Sequence, residues 1–281
     1  MSTESKKRIA EKIIELNVPV DKVWKALTDA DEIVKWFSTH AEVKPGAGGS
    51  MFLGWSDNYI GENKIEIWKE NSHLRAVTVV ESTEIKEDET LSEEESSERP
   101  NRPLTWDYYL EDKGNSTVLR IVTSGFGEGP EWDDEYNAIY RGWGLFVLNL
   151  KHFLEFHPYE ESRHSWLQIP FTISVKEAWK RLMSPQGMCA KGNIDCSQPD
   201  GPYTVVTANG EEMEGMINLC HPGEDLALSL ENMNDSLFRI SLMDWYGNRH
   251  AGVTILAYGM TKKAFSNYCD SWTSFLTKLF E

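Results

Sequence analysis

A nine-residue string near the start of this 281-residue chain returns in its second half. Val20-Asp21-Lys22-Val23-Trp24-Lys25-Ala26-Leu27-Thr28 lines up with Val175-Lys176-Glu177-Ala178-Trp179-Lys180-Arg181-Leu182-Met183, keeping Val, Trp, Lys and Leu in register at an offset of 155. In both copies the apolar residues fall at i, i+3, i+4 and i+7, so each reads as a short amphipathic helix with its Trp turned inward. Each half also closes on a longer helical stripe. The first, over 132–156, aligns Tyr136, Ile139, Tyr140, Trp143, Val147, Leu150 and Leu154. The second, over 262–280, aligns Phe265, Tyr268, Trp272, Phe275, Leu276 and Leu279, with Thr261 placed as N-cap. Trp143 and Trp272 are then matched positions.

Before and between these helices lie short alternating runs with Gly and polar breaks, the pattern of antiparallel meanders. In the first half they cover 9–16, 41–44, 50–55, 60–68, 74–81, 104–111 and 117–123; in the second, 166–173, 203–207, 213–220, 226–231, 237–244 and 253–258. The fold class is therefore α+β: two domains, each a curled antiparallel sheet that buries the stripe of its long C-terminal helix and leaves a groove or cavity between them. The polar, Pro-containing stretch 157–164 sets the expected domains at 1–160 and 161–281.

Composition narrows the function. With 40% apolar and 26% charged residues the chain has ordinary globular composition, and its net charge of −17 disfavours nucleic acid and anionic membrane surfaces as partners. No apolar run reaches 18 residues and the N-terminus lacks a signal-like core, so a cytoplasmic protein without membrane insertion is expected. The four cysteines, Cys189, Cys196, Cys220 and Cys269, match no CxxC or zinc-ribbon spacing and read as reduced structural thiols. No HxH or HExxH pattern occurs, so neither a metal nor a cofactor is expected. Residues 84–98 hold eight acids, one base and almost no apolar side chain. They read as a solvated inter-strand loop, extending to Pro103, that could dock a basic protein partner.

The ordered set Asn17-Val18-Pro19-Val20-Asp21-Lys22-Val23-Trp24-Lys25-Ala26-Leu27-Thr28-Asp29, Trp36-Phe37 and Pro45-Gly46-Ala47-Gly48-Gly49 resembles a known family opening. It is similar to homologues of the activator of the 90-kDa heat-shock protein ATPase, within the SRPBCC or START-like (Bet v 1-like) superfamily. Thr117-Val118-Leu119-Arg120-Ile121-Val122-Thr123-Ser124-Gly125-Phe126, Gly142-Trp143-Gly144 and Leu150-Lys151-His152-Phe153-Leu154 extend the likeness over about 150 residues. The resemblance implies a helix-grip fold with an apolar cavity, and tandem copies of which the second is divergent. It departs at Thr123, where many family members carry a His, so chemistry resting on that imidazole is not expected here.

Alternation places Met51, Leu53 and Trp55 on one sheet face, extended by Trp106, Tyr108, Leu119, Ile121 and Thr123 on neighbouring strands. With Trp36, Phe126 and the helical Tyr140, Trp143 and Val147 they form the candidate ligand-binding cavity. Tyr108, Tyr140 and Thr123 are its polar tips. Gly142 and Gly144 each cost about 1 kcal/mol inside a helix, which suggests that backbone or ligand comes close on either side of Trp143. Asp107 and Glu111 alternate to the opposite face and are expected to meet solvent, so no carboxylate pair converges and no catalytic residue is assigned. The leading expectation is a non-catalytic protein that binds a small hydrophobic molecule. A co-chaperone-like interaction module and a cyclase or dehydratase type of enzyme are the alternatives.

Overall fold

The computed structural model describes residues 8–56, 59–79, 102–245 and 247–281. The chain divides into two compact units, Met1–Pro158 and Tyr159–Glu281. The acidic segment 84–98 lies outside the described residues.

The first unit runs β1 (Ala10–Leu16), α1 (Val20–Thr28), α2 (Ala30–Ile33), β2 (His40–Lys44), β3 (Ser50–Ser56), β4 (Tyr59–Lys69), β5 (His73–Thr78), β6 (Thr105–Asp112), β7 (Thr117–Ser124) and α3 (Asp133–Phe156). Its strands form one antiparallel sheet in the order β1-β7-β6-β5-β4-β3-β2. The meander is thus completed by the first strand pairing with the last, Ala10 opposite Thr123 and Leu16 opposite Thr117. Local chemistry sets the boundaries. The Asp29 carboxylate accepts the backbone N–H groups of Asp31 and Glu32 at the start of α2, and Asp133, Asp134 and Glu135 crowd the positive end of α3. Between β2 and β3 the chain turns where Gly48 takes φ +87° and a Cβ on Gly49 would fall 1.9 Å from the Lys44 carbonyl oxygen, so only glycine fits. A bulge between Ile65 and Ile67 on β4 interrupts the alternation ahead of Trp68, whose ring meets Trp24 of α1 edge-on at 5.2 Å.

The second unit repeats the plan with β8 (Ser162–His164), β9 (Leu167–Pro170), α4 (Val175–Leu182), β10 (Lys191–Asn193), β11 (Pro202–Val206), β12 (Glu212–His221), β13 (Asp225–Leu230), β14 (Ser236–Trp245), β15 (Asn248–Tyr258) and α5 (Lys262–Phe280). Its sheet order is β10-β11-β12-β13-β14-β15-β8, and β9 also pairs with β15. Strand for strand this is the first unit's topology, with β8 and β9 sharing the place of β1. Ser174 and Thr261 cap α4 and α5 by accepting the N–H groups of Glu177 and Ala264. Both units are helix-grip domains. Among the described residues no helix is long and apolar enough to cross a membrane.

Three expectations change. The stretch read as a plain junction contributes β8, whose Ser162–His164 pair with Leu256–Tyr258. Cys196 and Cys220 are not reduced thiols but a disulfide, with Cα atoms 5.3 Å apart. The fold brings the loop after β10 beside the end of β12, a neighbourhood that spacing along the chain does not encode. Asp107 does not face open solvent: it is buried. On the adjacent strand Arg75 donates to both its oxygens at 2.8 and 3.0 Å, and His73 lies 2.6 Å away.

Candidate functional site

The interior of the first unit is built by β3, β6 and β7 on one side, α3 on the other, and the segment after α2 at one end. Trp143, one turn past the middle of the helical stripe's N-terminal half, is its centre. Its ring stacks on Phe37 at 5.5 Å and meets Trp106 and Tyr108 edge-on at 5.8 Å each. Phe146 packs against Phe37 at 4.6 Å and lies 6.4 Å from Trp55. Trp36 is 1% exposed and stacks on Phe37 at 5.0 Å. Stacked and edge-to-face contacts of this kind are the favoured aromatic geometries, and they set ring faces and edges side by side.

The polar ends of these rings are fixed by the protein. Trp36 Nε1 donates to the Ala26 carbonyl at 2.9 Å, Trp55 Nε1 to the Phe37 carbonyl at 2.8 Å, and Trp106 Nε1 to Thr78 Oγ1 at 3.0 Å. Trp143 Nε1 donates to Thr123 Oγ1 at 2.9 Å, so Thr123, fully buried, anchors the central ring. Asn149, also fully buried, donates to the Trp36 carbonyl at 3.1 Å and ties α3 to the segment after α2. Two polar groups stand apart from this scheme. Tyr108, 8% exposed, makes no hydrogen bond among the described residues, and burial alone drives its phenol pKa upward. Asn149 Oδ1 likewise has no partner among the described residues.

The structure brings Trp36, Met51, Leu53, Trp55, Trp106, Tyr108, Leu119, Ile121, Thr123, Trp143 and Val147 onto this interior, all buried except the half-buried Trp55 and Trp106. Two sequence candidates sit elsewhere. Phe126 joins a neighbouring cluster with Ala10, Leu104 and Trp132. Tyr140 is 42% exposed, on the flank of α3 that faces β1, where its ring stacks on Tyr136 at 6.0 Å. Alternation missed Phe37, Phe146 and Asn149. Phe146 occupies the helical turn after Trp143, beside Val147, and a wider stripe would have included it.

The two helix glycines do not mark a close backbone approach. A Cβ on Gly142 would meet only the Phe146 ring at 3.8 Å, and one on Gly144 only the end of the Lys12 side chain at 3.8 Å. On the outer sheet face, burial would raise the Asp107 carboxyl, but the hydrogen bonds and charges of Arg75 and His73 outweigh it and hold its pKa below the usual range.

Residues 17–155 match the family model of Activator of Hsp90 ATPase homolog 1-like protein. No curated protein matches the sequence significantly. Among solved structures, a protein of Mesorhizobium loti is 19% identical, aligning over 53% of this chain and 97% of that one with a TM-score of 0.43. The Aha1 dimer of Colwellia psychrerythraea is 18% identical over 53% of this chain and 96% of that one, with a TM-score of 0.41. The di-domain ARO/CYC BexL of the BE-7585A biosynthetic pathway is 12% identical over 98% of this chain and 99% of that one, with a TM-score of 0.44.

Proposed function

We propose that the first unit binds a small, ring-bearing hydrophobic molecule between its sheet and α3, without chemistry, and that the second unit is a packed copy that does not. The observation that carries this reading is the Tyr108 hydroxyl: its side chain is buried against Trp143 and the hydroxyl makes no hydrogen bond among the described residues, so it is a donor that a ligand oxygen would satisfy. The rings around Trp143 supply the affinity and the single hydroxyl supplies orientation.

The family match favours a second reading, a co-chaperone-like interaction module, for which the acidic segment 84–98 is the candidate contact with a basic protein.

Native mass spectrometry of the intact chain separates the two. The binding reading expects an added small-molecule mass that leaves on denaturation, or, for chain purified empty, a change in Trp emission on adding the uncharged fluorophore N-phenyl-1-naphthylamine, weakened in Trp143→Ala. A bare mass together with no response to that fluorophore overturns the binding reading and leaves the interaction module.

A further inference from the structure

We propose that this site has a charged end, and that its ligand is an aromatic amphiphile with an anionic head, a carboxylate or sulfonate, received by Lys12 at the seam between β1 and α3. The inference rests on the ring-binding reading and adds the class of ligand.

Along β1 the side chains alternate. Glu11, Ile13 and Glu15 are exposed, while Ala10 and Leu16 are buried on the face that meets α3. Lys12 belongs to that inner set. Its Nζ lies 3.6 Å from the centroid of the Tyr140 ring, and its Cε and Nζ would each lie 3.8 Å from a Cβ on Gly144. Gly144 thus leaves the helix surface open beside the ammonium, and Tyr140 presents it a π face. This accounts for the exposed position of Tyr140 and for a helix glycine that close packing does not require.

The row across the sheet links this cation to the rings. Lys12 stands opposite Ile121, and Ile121 opposite Tyr108, so Lys12 and Tyr108 lie two strands apart on one face, about 10 Å between backbones. That is the reach of a fused-ring acid whose rings lie against Trp143 and whose head projects to the seam.

The charge environment points the same way. The chain has 45 acidic residues to 28 basic ones, and Lys25, Lys35, Lys113 and Lys151 each pair with a glutamate. Lys12 has no carboxylate partner among the described residues. The acids of its own strand are turned away, Glu11 to Arg120 and Glu15 to the Ser116 hydroxyl. An inward lysine held by a π face keeps its hydrogen-bonding capacity for an incoming anion.

The test is a matched pair of probes on the full chain: 8-anilino-1-naphthalenesulfonate and N-phenyl-1-naphthylamine, which share their rings and differ in the sulfonate. The sulfonate probe is expected to bind more tightly. Lys12→Met should weaken it by about tenfold, the loss of one charge-assisted hydrogen bond, while leaving the neutral probe unchanged and so reporting an intact fold. Lys12→Arg should restore it. If both probes bind equally and Lys12→Met affects neither, the charged end is wrong and the ring site stands. If neither probe binds, both proposals fall.

Discussion

The two units share one strand order and one long helix with a central tryptophan, yet their interiors are filled differently. Around Trp143 the sheet supplies Trp106 and Tyr108, with the Tyr108 hydroxyl left unmatched. Around Trp272, which is fully buried, the sheet supplies Phe238 and a bed of Leu226, Leu228, Ile240, Leu242, Val253 and Ile255, each 0–1% exposed. Of the two tyrosines on that unit's strands, Tyr203 and Tyr258, Tyr203 has its hydroxyl committed to the Ser229 carbonyl at 2.7 Å. Turns differ too: a glycine-tight corner joins β2 to β3, whereas the loop between β10 and β11 is held by the Cys196–Cys220 disulfide. One topology thus accepts two fillings, because strand order fixes where the interior lies and side-chain choice decides what fills it.

The largest test of that contrast is truncation of the two central rings. Trp272→Ala and Trp143→Ala should each cost about 3–5 kcal/mol, read as faster amide exchange across β13 to β15 in the first case and across β6, β7 and α3 in the second. N-phenyl-1-naphthylamine should recover part of the loss at Trp143 and none at Trp272. Equal recovery would mean the second interior also accepts rings.

A smaller effect is expected on the outer face of the first sheet. Asp107→Asn leaves Arg75 without its bidentate partner and should cost about 2 kcal/mol at neutral pH. Because the folded carboxyl titrates below its unfolded value of about 3.9, the stability it contributes is complete above that pH and disappears as pH falls through the lowered folded pKa. Acid melts of wild type and Asp107→Asn should converge there; parallel curves would show that the ion pair contributes nothing.

The smallest is at Gly142. Open space beside it predicts that Gly142→Ala raises stability by up to about 1 kcal/mol in a thermal melt. A gain in stability accompanied by weaker probe binding would place the ligand's ring against that notch.

Much of this was readable from spacing alone. The Val-Trp-Lys-Leu string located α1 and α4, helical stripes located α3 and α5, Thr261 acted as the cap expected of it, and alternation assigned the inward faces of β3, β6 and β7. What failed depended on neighbours distant in sequence. Asp107 points outward as alternation requires, but Arg75 and His73 on the next strand cover it. Tyr140 lies on the helical stripe, yet at its edge, where β1 rather than the sheet centre faces it. Nothing in the sequence marks Lys12, because a lysine on a strand ordinarily faces water; its inward place follows from the pairing of β1 with β7 beside α3. The disulfide escaped for the same reason: 24 residues of sequence separate two cysteines that the sheet brings together.

The pairing of first strand with last also bears on how the chain is made. Ala10 waits for Thr123, and the aromatic interior waits longer still, for the helix that carries Trp143. At roughly 5–20 residues per second of synthesis, the rings of β3 and β6 stay uncovered for several seconds after they leave the ribosome. During that interval the nascent chain is an exposed aromatic sheet lacking its lid, so the rings that would give the finished domain its ligand are also those that put it at risk of aggregation while it is being born.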